Sequence, residues 1–302
     1  MALDVSALTA FNNEIAGELL PKIVYGGSTM EYVTIKEGVK HQEPINLMEV
    51  DLQVQYGTCV STPSGSLTYS QRNITVCPRT SFDGICLKDM DKYYLGIADL
   101  EPGSYNTTFK TATVYSDLLV NQFQKSNDSF LWNGDAGCTD GGTGLKTIIS
   151  GSTTGVVVAG GAAVTLANMD AMIAASPSEV ADREDLTFFM SVASFRTYVR
   201  ELRLANNFYF DPASIDNRGG ILEMAYPFNP GIKVVGTTGL GGSARVVLGP
   251  AKQIVAGTDL MSDFSEFQLW YDINTDQLRH RIATKLGVNI AYPEFWVSND
   301  EA

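Results

Sequence analysis

The sequence predicts an α+β protein, on three observations. A strongly alternating hairpin fills the first quarter, one long helix runs into a glycine-rich stop, and a mixed α/β stretch is closed by a second alternating hairpin. The chain has 302 residues, of which 44% are hydrophobic and 18% charged. That composition supports a large core without a metal or disulfide staple.

Leu8, Phe11, Ile15 and Leu19 recur at spacings of three and four. They predict a short amphipathic arm with Ser6 as N-cap and Pro21 beyond its end. From Gly26 to Pro44 the chain reads as polar and partly extended, suited to lying along another surface. Met48, Val50, Leu52, Val54 and Tyr56 then alternate with Glu49, Asp51, Gln53 and Gln55, the period of a strand with one wet face. Thr62-Pro63-Ser64-Gly65 reads as the turn and Leu67 to Cys77 as the return arm, with Ile74 and Val76 on one face. A tip near Pro63 sets Cys59 opposite about Tyr69. A lone two-stranded ribbon with an apolar face is marginal in water, so a neighbour is expected to cover it.

Asn106 or Thr107 caps the longest predicted helix, whose stripe is Phe109, Ala112, Tyr115, Leu119, Phe123 and Phe130. Over about 26 residues it makes a rod of roughly 39 Å. The run from Gly134 to Gly144 stops it, and a strand is expected after that loop. In the middle, Val156 to Val158 and Phe188 to Val192 read as strands. Leu166 to Ile173 reads as a helix capped by Thr165, and Ser194 to Ala205 as one with Phe195, Tyr198, Val199 and Leu202 inside. Further strands are expected at Lys233 to Val235, Arg245 to Leu248 and Gln253 to Val255. The last hairpin alternates through Phe267, Leu269, Tyr271 and Ile273, turns at Asn274-Thr275-Asp276, and returns with Leu278, His280, Ile282, Thr284, Leu286, Val288 and Ile290 on one face.

The 34 acids outnumber the 21 bases, for a net charge of −13. A surface this acidic disfavours sequence-reading or wrapping of duplex DNA. No apolar run is long enough to cross a bilayer, and the start lacks a signal peptide, so a soluble chain made in a cytoplasm is expected. On that reading Cys59, Cys77, Cys86 and Cys138 are expected to be free thiols, and Asn73, Asn106 and Asn127 match the glycosylation pattern by chance. His41 and His280 lack metal-ligand spacing, so neither a metal nor a cofactor is expected. His280 reads as a hydrogen-bonded structural histidine.

Gly144-Leu145-Lys146-Thr147 lacks the glycine directly before lysine that a phosphate loop needs. The glycine-rich run from Gly236 lacks dinucleotide spacing. Paired-carboxylate chemistry has no spacing signature among so many acids. Arg196, Arg200 and Arg203 line one helix face, either solvated or facing a neighbouring subunit's acids. Absence of convergent chemistry beside three projecting elements, the arm, the hairpin and the rod, is the pattern of a lattice subunit.

The order of parts resembles the major capsid protein of tailed bacteriophages, the HK97-like fold. Phe130-Leu-Trp-Asn-Gly-Asp-Ala-Gly137 followed by Gly144-Leu-Lys-Thr-Ile148 is similar to the family's turn after its spine helix. Phe188 to Phe195 is similar to a strand-to-helix segment of its axial domain. Leu269-Trp-Tyr-Asp272 and Leu286 to Glu294 look like its peripheral strands and tail. The resemblance implies an N-terminal arm at 1–46 and an extended β-hairpin loop at 47–80. It further implies a peripheral domain at 81–150 and 264–302 with a spine helix at 107–132, and an axial α/β domain at 151–263.

The implied function is structural, not enzymatic: a subunit that self-assembles as pentamers and hexamers into an icosahedral head enclosing DNA without sequence-specific binding. It is assembled in the host cytoplasm with a scaffolding protein and a portal, and is resident in the virion. Implied inter-subunit contacts are Val50, Leu52 and Val54, the tip residues Pro63, Ser64 and Gly65, and Leu8, Phe11 and Ile15 of the arm. The charged scaffolding segment of some members is missing ahead of the arm, which implies a separate scaffold or a processed chain. No lysine lies between Leu47 and Cys77, so the isopeptide crosslink of some members is not carried over. The alternatives are an encapsulin-like cargo shell, which shares the fold, and a soluble carboxylate-dependent enzyme.

Overall fold

The computed structural model describes residues 29–57, 64–86, 110–138, 140–151, 156–158, 164–180, 185–205, 215–218, 221–259, 268–272, 274–275 and 277–299. The arm residues Leu8, Phe11 and Ile15, the turn residue Pro63, and Cys59 lie outside them.

Two sheets and a separate ribbon organise the chain. In the five-stranded sheet, β13 (Gln277–Ile290) is central. One of its edges carries β4 (Cys77–Cys86). The other carries β12 (Gln268–Asp272) and, further along, β11 (Ile254–Thr258), beyond which lies β1 (Thr34–Lys36). The seven-stranded sheet has the order β5-β14-β10-β6-β9-β8-β7, with β5 (Val156–Val158), β6 (Leu186–Ser191), β7 (Asp216–Arg218), β8 (Ile221–Tyr226), β9 (Asn229–Thr237), β10 (Val247–Pro250) and β14 (Val297–Asn299). The ribbon pairs β2 (Gln42–Leu52) with β3 (Gly65–Thr75).

The period-two sequences of β6, β9 and β10 place apolar residues on both sides of the second sheet. Phe189, Val235 and Val247 face the core shared with the first sheet, where they meet Ala256, Leu286, Val288 and Ile290. Phe188, Val234 and Leu248 face the opposite side, which is covered by α3 (Leu166–Ala175) and α4 (Val192–Ala205). Burial on both faces is why β6 reads as a continuous apolar run. Thr165 caps α3 by accepting the Asn168 amide, as its sequence predicts.

The long helix, α1 (Lys110–Asn133), plugs the end of the shared core with Phe130, Leu131 and Trp132. It ends on Gly134, whose left-handed backbone (φ +74°) lets its amide bond the Phe130 carbonyl.

Several expectations are corrected. A helix, α2 (Leu145–Gly151), follows the glycine-rich loop in place of a strand, because Leu145 and Ile149, four apart, both enter the core. The ribbon pairs from Gln42 and its ladder ends at Leu52, so Val54 and Tyr56 lie beyond it. Met48, not Cys59, faces Tyr69, because the register carries Leu52 opposite Gly65 and centres the tip several residues before Pro63. Cys77 and Cys138 form a disulfide, where free thiols are expected. The fold brings the first residue of β4 and the loop after α1 to a Cα separation of 6.1 Å, within bridging range. Apart from these corrections, β14 from the tail lies in the seven-stranded sheet and β11 in the five-stranded one.

Candidate assembly surface

The ribbon is held along its proximal half, out to buried Leu47 and the Met48 carbonyl. Ile74 and Val76 bury against Val39, with Ile45 and Val255 alongside. Beneath them Gly257 and Gly287 are paired across β11 and β13. A Cβ on Gly287 would collide with the Thr75 carbonyl, and one on Gly257 would crowd Ile74 and Val76. This pair of glycines is a notch through which the root crosses the sheet. The Asn289 side chain donates to the Asn73 carbonyl (2.7 Å), Tyr292 to the Met48 carbonyl (3.2 Å), and Lys36 pairs with Glu43 (2.7 Å). The Cys77–Cys138 bridge then ties the next residues to the loop after α1.

Further out, its apolar face is uncovered. Residues directly opposite in an antiparallel pair share a face, so Met48 with Tyr69 and Val50 with Leu67 form one apolar stripe that continues to Leu52. Val50 is 60% exposed and Leu52 77%; Val54 and Tyr56, beyond the ladder, reach 89% and 97%. Of the other expected contact residues, Ser64 is half-buried and Gly65 is exposed with φ +116°. The structure thus brings Val50 and Leu52 onto one stripe. It adds Met48, Leu67 and Tyr69, which the alternation in each arm announces once the register is known.

Sequence reading missed a second exposed patch, at the far end of the five-stranded sheet. Phe82 (60% exposed) and Trp270 have ring centroids 6.1 Å apart. The guanidinium of Arg279 lies 5.8 Å from the Phe82 ring centroid and pairs with Asp272 at 3.2 Å. The Thr275 hydroxyl and Asn274 amide hold the Asp272 carboxyl below the usual carboxylate range, with Arg279 adding to the effect. Arg281, opposite Phe82, is exposed on the same face. The opposite face carries His280, buried 3.3 Å from the Ser81 hydroxyl, as a structural histidine should be. Burial pushes its pKa below the ordinary value, against a smaller upward pull from Asp83.

A groove of about 830 Å³ runs between α1 and β4, lined by Leu119, Phe123, Val76, Ile282 and Arg79 beside the disulfide. Burial lowers the Arg79 pKa, opposed by Asp135; its guanidinium bonds Ser126 (2.9 Å) and Asn127 and lies over the Phe130 ring. Arg196, Arg200 and Arg203 are exposed on α4. Among the described residues no group of three His, Cys, Asp or Glu side chains could hold a metal ion. No helix among them is long and apolar enough to cross a membrane.

No protein-family model matches the chain, and no curated protein matches it. Solved structures do. The capsid of an empty GTA particle aligns with a TM-score of 0.58 at 10% identity, over 91% of this chain and 90% of that one. The procapsid of satellite phage P4 including size determination (Sid) protein gives 0.59 at 9% identity, over 99% and 98%. A virus-like particle from Pyrococcus furiosus gives 0.54 at 8% identity, over 96% and 99%. Identities this low define the fold: the chain has the α+β, HK97-like fold of phage capsid shells, as its sequence resemblance implies.

Proposed function

We propose that the chain is the major subunit of an icosahedral phage head, a structural protein that assembles as pentamers and hexamers and is resident in the virion. The observation that carries this reading is the apolar stripe of the β2–β3 ribbon, left open to solvent on a fold shared with capsid shells. An apolar patch held away from the subunit's own core is stable and soluble only when another chain covers it. In a head, Val50, Leu52 and Val54 face the adjacent subunit and Pro63, Ser64 and Gly65 lie in the contact, with Leu8, Phe11 and Ile15 of the arm adding to the lattice. The division into arm (1–46), extended loop (47–80), peripheral domain (81–150 and 264–302) and axial domain (151–263) belongs to the same reading, as do cytoplasmic assembly, a scaffolding protein and a portal. The net charge of −13 suits a wall that encloses DNA without adhering to it.

Likeness to the Pyrococcus furiosus particle favours a second reading, a cargo-holding shell of encapsulin type. Expression of the full chain, followed by sedimentation and negative-stain imaging, tests both. Closed particles are expected, and a chain that stays monomeric under all assembly conditions overturns them. Co-expression with the neighbouring genes separates a DNA-filled head from a protein-filled shell.

A further inference from the structure

The Cys77–Cys138 bridge stands in the wall of a groove, just past the end of the ribbon. Both cysteines line the groove of about 830 Å³ between α1 and β4, a volume that admits a small peptide. Cys77 is 4% exposed and packs in the shared core, whereas Cys138 is only partly buried. Arg79 and His41 line the groove together with Asp135 and Asp140, so its walls offer both signs of charge. Beside the bridge, the backbones of Gly141 and Gly287 both come against the Thr75 carbonyl, and a Cβ on either would collide with it. The last residue of β3 is thus packed by the loop after α1 as well as by β13. The bridge, two residues on, is the covalent tie between that loop and the chain leaving β3.

We propose that Cys77–Cys138 is a thiol–disulfide exchange site for a small zwitterionic thiol, and that opening it releases the ribbon's root from the loop after α1. The thiolate of the incoming thiol attacks the sulfur of Cys138, the more exposed of the two, and Cys77 leaves as a thiolate that takes up a proton. A second thiolate attacks the mixed disulfide and frees Cys138, which is protonated in turn. Two external thiols have become one disulfide, and the two electrons they lose reduce the bridge to two thiols. The small disulfide runs the same steps backwards and closes it. A bridge sealed in a core resists such exchange; one that lines a groove is placed to undergo it. The packing of Ile74 and Val76 on Val39, and the bonds from Asn289 and Tyr292, do not pass through the bridge. Opening therefore leaves the root on β13 and removes its tie on the α1 side. None of this requires a shell: the same exchange is expected in a monomer and in a particle.

Glutathione tests the site in the full chain, with Cys59→Ser and Cys86→Ser removing the other thiols. Reduced glutathione without denaturant is expected to open the bridge, read as two alkylated thiols after acid quench, while the amides of β6 stay protected from hydrogen exchange. Opening only in denaturant overturns the proposal. Adding Cys77→Ser or Cys138→Ser to this chain removes the bridge alike and leaves one thiol. Oxidised glutathione is expected to modify Cys138 in the first about tenfold faster or more than Cys77 in the second; equal rates overturn the assignment of Cys138 as the attacked sulfur. Hydrogen exchange then reads the release. The Val76, Asp135 and Cys138 amides are bonded to the His41, Gly142 and Asp135 carbonyls. On opening, their exchange relative to that of β6 is expected to rise about tenfold or more. An unchanged ratio is what a bridge acting only on the unfolded chain gives, and it overturns the release of the root.

Discussion

Strand β6 and the β2–β3 ribbon are both rich in apolar side chains, yet they spend them in opposite ways. All six residues of β6 are buried, and Phe189 alone meets the rings of Trp132, Trp296 and Tyr32 at centroid distances of 5.4, 6.4 and 6.1 Å. In the ribbon coverage stops at Leu47, and Val50, Leu52, Leu67 and Tyr69 face water, as does Val54 just beyond the ladder. Hydrophobic burial scales with the area removed from water, whichever chain removes it. Apolar content thus divides here into a part that folds the subunit and a part left for a partner. Stability and assembly should therefore be separable by mutation.

The largest effect on stability belongs in the shared core. Phe189→Ala leaves a cavity among three aromatic rings and should cost about 3–5 kcal/mol, read as a lower denaturation midpoint and poor yield of folded chain. A variant as stable as the parent would show that β6 does not centre the core.

Next comes the staple between the ribbon's root and the loop after α1. The disulfide joins residues 61 apart, and loop-closure entropy over that length sets a ceiling of about 4 kcal/mol. Cys77→Ser should lower stability by about 2–4 kcal/mol under oxidising conditions and by nothing under strong reductant. Thiol counting under denaturant should return two free thiols fewer than the chain's four cysteines. Four free thiols would remove the bridge from the account.

A smaller term is pH-dependent. Burial holds His280 below its ordinary pKa of 6.5 in the folded chain. The unfolded chain then binds the proton more readily, so this contribution is complete above about pH 6.5 and is lost as pH falls through and below it. His280→Gln should flatten that acid limb of a stability–pH curve; an unchanged limb would place its origin in other groups.

What could be read in advance follows the range of the signal. The terminal hairpin, α1, α3 and α4 carry local periodicity, and the structure has each of them within a few residues of expectation; the ribbon is present too, with its first strand shifted back to Gln42–Leu52. Half of the candidate surface was equally legible, because Val50 and Leu52 alternate within one strand. The Phe82–Trp270 ring pair was not: the two meet only through the register of β4 and β12 on β13, which no local pattern encodes. The same holds for the Cys77–Cys138 bridge and for β14 crossing into the other sheet. α2 does not stand out in the sequence because seven residues give too few turns for a helical period to show.

The smallest expected effect on stability is the sharpest test of the comparison. Leu52→Asp combined with Val54→Asp changes two side chains that touch almost nothing in the subunit, since both are more than three-quarters exposed. Surface substitutions of that kind stay within about 0.5 kcal/mol. The chain should keep its circular dichroism spectrum and denaturation midpoint. In a lattice the same two carboxylates would be driven into an apolar contact, unpaired, at a cost repeated in every copy. Closed particles should therefore disappear while monomer remains. Sedimentation of the folded variant decides: particles of normal size would mean that the ribbon's stripe is not an assembly contact. An unfolded variant would mean that the ribbon belongs to the subunit's own core, and the division between the two regions would fall.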